Sequence, residues 1–390
     1  MRQWDAASTK GRILRHPNPR VGYPIKIRNR VVEFSLWPVK IGQGGWISNT
    51  KLFVSEPWAI IRHVVEKECR KASKPAALAF LEQAYDYYRS VSTASITAAK
   101  PVLLYYCFLN LAKVLILTRS LNISLNIAQH GLSERIRPGK DELIGAYIEA
   151  YPSGQSINIF DQFLTAIRGS GLISKLLFDV PVLLRQIVTG HRLFTLANRG
   201  SAECFITIHD LQMLDDKSNQ LWLRLGITNG ALTRLGVSQI ALLKRSRLVA
   251  DWQRVSPPPG SSPDVLWLEQ ISTTRYSTGW LPNAIPKLID TFKHNIWQTV
   301  LSAPPYRSYY LYLPHLADHP YILPQLLSAY ATLYYFSSIT RYRPHHFDKI
   351  LRGEYGPFVE SFLHDQPAQM LFLIASEFAK RDVTKAAIVV

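Results

Sequence analysis

The feature that most constrains this chain is the run at 101–118, PVLLYYCFLNLAKVLILT, apolar almost throughout and about as long as a bilayer is thick. Such a segment either crosses a membrane or becomes the centre of a folded body. Asn110 and Lys113 stand near its middle, and a lysine at mid-bilayer costs about 2.5–3.5 kcal/mol on insertion. No second span offers to pair it, so the run reads as a core helix over 98–119 and no membrane is expected. A helix apolar on every side needs neighbours on every side. Trp58, Ile61, Val65 and Cys69 recur at spacings of three and four behind Ser55, a suitable N-cap with Glu56 and Pro57 in the first turn. Leu78, Leu81, Tyr85 and Tyr88 mark one stripe of a second helix over 75–91.

The rest of the chain divides by texture. Residues 1–54 mix arginines, prolines and glycines with short β-prone runs such as 31–36, and read as a basic arm with irregular strands. Residues 55–200 form an N-terminal helical region. Short helices are expected there at 141–149, at 158–168, and from Asp179 with Pro181 through 188. Residues 201–283 carry CFITI, LWLRLGI and VLWLEQI between polar links such as SPPPGSSP at 256–263, which predicts a β-rich insertion. Helices return at about 284–301, 322–341 and 355–380, so residues 284–390 read as a C-terminal helical region packing on the first. The expected fold class is α+β, predominantly α-helical: a helical bundle with a small inserted antiparallel β module.

Charge narrows the partners. Forty-five Lys and Arg against 28 Asp and Glu give a formal +17, and residues 1–30 hold eight of the cations against Asp5 alone. That surplus fits a polyanion, RNA or DNA. Cys69, Cys107 and Cys204 are odd in number and far apart, which suits a reducing cytoplasm and no zinc site. The first twenty residues lack the apolar core of an export signal.

Three segments carry a resemblance. AAKPVLLYYCFLNLAKVLIL at 98–117, HGLS at 130–133 and LLSAYATLYYFSSITRYRP at 326–344 together resemble the YaaC-like family of bacterial proteins. The family pattern joins a KP-LL-YYG-LNL-KA helix, a His-Gly turn and a late helix ending in Arg-Tyr. Cys107 stands where a glycine is usual, and the basic arm at 1–50 is extra. The resemblance implies a bacterial cytoplasmic protein with a shared architecture over about 55–380, and no mechanism.

On the 98–119 helix, Tyr106, Asn110 and Lys113 fall within about 40° of one another, a polar stripe on a buried helix. Lys113 needs an anionic partner: Glu82 or Glu66 within the bundle, or the phosphate or carboxylate of a ligand. His130, on the turn that follows, either joins that anion site or caps a neighbouring carbonyl. The late helix repeats the pattern in Tyr330, Tyr334, Ser337 or Ser338, and Arg341. Arg341 with His346 and Arg185 with His191 match the R-x4–6-H spacing of HEPN-like ribonucleases, where histidine moves protons and arginine steadies the phosphate without a metal.

Other chemistry is thin. His315 and His319 are four apart but flanked by prolines; His209 with Asp210 and His364 with Asp365 lack further metal ligands. Pro263, Asp264 and Glu269 gesture at a nuclease motif whose lysine is replaced by Ile271, and no GxSxG, P-loop or GxGxxG is present. No metal or cofactor is expected.

Three functions remain. The first is nucleic-acid binding, in a defence or stress system, with Arg12, Arg15, Arg20, Lys26, Arg28, Arg30, Lys244, Arg245, Arg247 and Arg307 on phosphates and the tyrosines at 306–312 stacking bases. Those tyrosines equally fit a strand with one face buried. The second is a metal-independent ribonuclease using Arg341 and His346. The third is a scaffold or adaptor for a partner protein from the same operon. Oligomeric state is not legible.

Overall fold

The computed structural model of the chain describes residues 17–27, 29–37, 51–93, 97–119, 125, 127–188, 191, 203–248, 250–277, 281–314 and 321–386. Arg12, Arg15, Arg28, His315 and His319 lie outside the described residues, as does the side chain of Arg30.

Three two-residue strands, β1 (Tyr23–Pro24), β2 (Lys26–Ile27) and β3 (Arg30–Val31), precede β4 (Lys51–Val54). Helices α1 (Trp58–Glu68), α2 (Lys74–Thr93) and α3 (Lys100–Thr118) follow where the three-and-four periodicity puts them. Among the described residues α3 alone is long and apolar enough to cross a membrane, and 78% of its most apolar window is buried inside the protein.

An antiparallel sheet of β5 (Leu132–Ile136), β6 (Ala146–Ala150) and β7 (Leu176–Asp179) comes next, with α4 (Ile159–Arg168) before its last strand and α5 (Val180–Arg185) after it. β6 replaces the short helix expected at 141–149. Ala146, Ile148 and Ala150 are buried in alternation with Tyr147 and Glu149, and partners on both edges make that period of two decisive.

The chain then builds β8 (Phe205–Thr207), β9 (Asp210–Asp215), β10 (Gln220–Thr228), α6 (Asn229–Leu235), α7 (Gln239–Arg245), β11 (Trp252–Val255), β12 (Val265–Gln270), β13 (Thr274–Arg275) and α8 (Leu281–Asp290). Strands β1, β9, β10, β12 and β11 form an antiparallel sheet in that order, with β13 also on β10. The helix expected over 284–301 stops at Asp290. Beyond it, β-branched Ile296, Thr299 and Val300 belong to β14 (Ile296–Val300), paired with β15 (Arg307–Tyr312), whose other edge carries β8. Helices α9 (Gln325–Tyr342), α10 (Pro344–Arg352) and α11 (Gly356–Ala379) return the chain to α3, and β16 (Asp382–Lys385) closes in parallel on β4.

A predominantly helical bundle with one small β module is therefore not what forms. Helix accounts for 46% and strand for 22%, the strands build several antiparallel sheets, and the fold is α+β without a clear bundle. One of those sheets, β5–β7, packs into the same core as the helices, because buried positions with a period of two occur inside the region read as helical.

Two cores result. The larger joins α1–α5 and α9–α11 around α3; the second gathers β9, β10, β12, α7 and α8, and recruits Ile25 and Phe34 from before the helices and Ile296, Leu311 and Leu313 from beyond residue 283. The free edge of β14 meets the first body through two glutamines. Gln325 accepts from the Gln298 N–H (3.1 Å) and donates to the Gln298 carbonyl (2.9 Å). Gln369 does the same at Val300, at 2.8 and 2.9 Å.

Candidate functional site

Neighbouring tyrosines on a helix point about 100° apart, and on α3 that step sends Tyr105 and Tyr106 to different partners. Tyr106 continues the stripe with Asn110 and Lys113 and faces α2: its ring stacks on Tyr87 at 5.8 Å, and Asn110 donates to Gln83 at 3.2 Å. Lys113 does not pair with Glu82 or Glu66. Glu82 holds Arg62 at 3.4 Å, and the Lys113 ammonium lies 4.7 Å over the Phe80 ring, with no carboxylate partner among the described residues. A ring face attracts a cation but leaves its charge unneutralised, and burial pulls the Lys113 pKa below its ordinary value.

Tyr105, fully buried, turns the other way. Its hydroxyl lies 2.7 Å from Nδ1 of His130 and 3.4 Å from the Tyr330 hydroxyl. His130 is held there by the turn after it. Gly131 has φ +74°, and a Cβ on it would lie 2.6 Å from Cβ of Asn158, so a side chain at this position would displace the turn. Burial first, then the charges of Arg341 and Lys113, hold the His130 pKa below its ordinary value and favour the neutral ring.

Arg341, in the last turn of α9, reaches across to α3 and donates to the Tyr106 hydroxyl at 2.9 Å. One turn earlier Nε bonds its own Ser337 carbonyl at 3.3 Å. Tyr334 donates to the Leu132 carbonyl at 2.8 Å and lies 3.3 Å from Glu134, whose other oxygen holds Arg343 at 2.8 Å. The two polar stripes thus meet: Tyr106 bridges them, and Lys113 and Arg341 both act on His130. Arg341 has no carboxylate partner among the described residues, and Glu134, beside Tyr334, is engaged by Arg343. Such a group can hold an oxyanion. Tyr105, Gln83, Phe80 and Glu134 escape the sequence reading because each is distant in sequence or sits off the polar stripe.

Other expected residues are dispersed. His346, in the first turn of α10, stands in the field of His345, Glu142, Arg343 and Lys349, whereas Arg341 turns toward Tyr106, so the structure does not bring the pair together. His191 is buried against Glu203 at 2.6 Å and accepts from the Cys204 N–H. Fully buried Glu269 is gripped by Arg224 (2.7 Å) and Arg20 (3.1 Å), a structural use of this carboxylate. Arg307 is buried on Asp382 at 3.1 Å, and Arg245 donates to the Leu313 carbonyl at 2.9 Å. Tyr309 and Tyr312 pack within or beneath β15, so they are not free to stack bases. Lys26, Lys244 and Arg247 are exposed. No group of three or more potential metal ligands occurs among the described residues.

A family model described as YaaC-like Protein matches residues 47–378. No curated protein matches the chain, and no solved structure does.

Proposed function

The chain belongs to the YaaC-like family, and from that premise we propose that it is a nucleic-acid-binding protein that seats a backbone phosphate against Arg341, Lys113 and His130. The family brings an architecture and no activity, so the reading rests on this chain's own residues. One observation carries it: Arg341 on Tyr106 and Lys113 over Phe80 bring cations from two helices to one region, neither with a carboxylate partner among the described residues, and both lower the His130 pKa. A phosphate supplies the missing charge and accepts from Arg341, Lys113 and the tyrosine hydroxyls. The formal +17 adds attraction at longer range. The three cysteines are buried and none forms a disulfide, which supports a reducing compartment such as the cytoplasm.

Fluorescence polarisation against labelled single-stranded RNA, double-stranded RNA and double-stranded DNA, each over a salt series, tests the proposal. Arg341→Gln and Lys113→Gln should each weaken binding and lower the slope of log K against log salt by about 0.7–0.9. Binding unchanged by both substitutions removes the site. The ribonuclease alternative requires EDTA-resistant cleavage lost in His346→Ala; the separation of Arg341 from His346 favours binding without cleavage.

A further inference from the structure

A cavity of about 690 Å³ lies between the two cores, far larger than packing defects and within the range that encloses small ligands. The β-rich body supplies Trp297, Asp290, Lys293 and His294 to its wall. The helical body supplies Arg168 at the end of α4, Ile322 just before α9, Leu326 in its first turn, and Glu377 on α11. Its lining is therefore of two kinds, an apolar and aromatic wall and a charged one.

The charged wall is unbalanced. Asp290 already holds Lys293 at 2.6 Å, and Glu377 holds Arg119 at 3.5 Å. Arg168 has no carboxylate partner among the described residues: it donates weakly to the Ile322 carbonyl at 3.4 Å and lies 5.1 Å over the Tyr321 ring. His294 stands in the field of both Arg168 and Lys293, which, after burial, hold its pKa low. An unpaired guanidinium beside a neutral histidine, facing an indole and aliphatic side chains, complements a molecule with one acidic head and an apolar body.

We infer that this cavity binds a small amphiphilic anion, its carboxylate or phosphate on Arg168 and its apolar part against Trp297, Ile322 and Leu326. The site shares no residue with the proposed phosphate cluster and stands whether or not the chain binds nucleic acid.

Two fluorescent probes of similar shape test it on the full chain: 8-anilino-1-naphthalenesulfonate, an anion, and N-phenyl-1-naphthylamine, which is uncharged. The sulfonate should bind saturably, one per chain. Arg168→Gln should weaken it by about 10–100-fold, the worth of a charged hydrogen bond, and leave the amine within about twofold. Ile322→Trp, which narrows the apolar end of the cavity, should weaken binding of both, with an unchanged thermal midpoint showing that each variant folds. Displacement of the sulfonate by decanoate identifies a carboxylate head, and displacement by adenosine monophosphate a phosphate head. Absence of saturable binding, equal loss of both probes in Arg168→Gln, undiminished binding in both variants, or displacement by neither competitor each overturns the inference.

Discussion

Arg307 illustrates how a charge can be plain in the sequence and its role hidden. The pattern RSYYLY shows which residues share a face, but which face meets the core depends on β14 and on β8 and β16, the last two distant in sequence. In the fold Arg307 donates to Gln298 at 2.8 Å, to Ser376 at 2.7 Å and to the Val383 carbonyl at 2.7 Å, besides its pairing with Asp382. Arg307→Met should cost about 3–5 kcal/mol in urea unfolding, because it strands a buried carboxylate. Burial outweighs Arg307 and raises the Asp382 pKa above its ordinary 3.8. Such a group favours folding below 3.8 and loses that contribution as pH rises through its folded value, so the deficit of the variant should shrink in acid. His130 runs oppositely. Its depressed pKa gives stability that is present above the ordinary 6.5 and lost as pH falls through the lower folded value. A bound phosphate favours the protonated ring, so oligonucleotide affinity should tighten as pH falls toward the lowered His130 value, and His130→Asn should flatten that dependence in polarisation measurements.

Among the elements, those carrying their own periodicity are readable: α1, α2, α3 and the long helices α9 and α11 fall close to their expected places. β6 and β14 are not, because a short apolar stretch takes the structure its neighbours offer, and only pairing with the adjoining strands β5, β7 and β15 decides it. Tyr106, Asn110 and Lys113 can likewise be placed on one face from spacing alone, while the arrival of Arg341 at Tyr106 and of His130 at the neighbouring Tyr105 depends on tertiary packing. Gln369 shows the same dependence. Gln369→Glu retains the acceptor for the Val300 N–H but sets an oxygen against the Val300 carbonyl in place of a donor. Urea unfolding should register a loss of about 1–3 kcal/mol, and a variant as stable as the parent would mean that β14 does not depend on this contact.

For the molecule as a whole, a truncation can separate the proposed nucleic-acid contacts of the basic N-terminal region from the structural contact of Arg20. Removing residues 1–16 takes away Arg2, Lys10, Arg12 and Arg15 and keeps Arg20. The slope of log K against log salt should fall with an unchanged thermal midpoint; an unchanged slope would take this segment out of nucleic-acid binding. Removing residues 1–30 also takes Arg20 from Glu269, and should cost about 1–3 kcal/mol whatever it does to binding. The central position of α3 also bears on how the chain is made. α9, which covers one of its sides, begins 207 residues after α3 ends. At about 5–20 residues per second, the ribosome takes roughly 10–40 s to deliver that cover. Throughout that interval the greasiest segment of the nascent chain has only its earlier neighbours to shield it, and the charge of Lys113 at its middle opposes its partition into a bilayer before the fold closes.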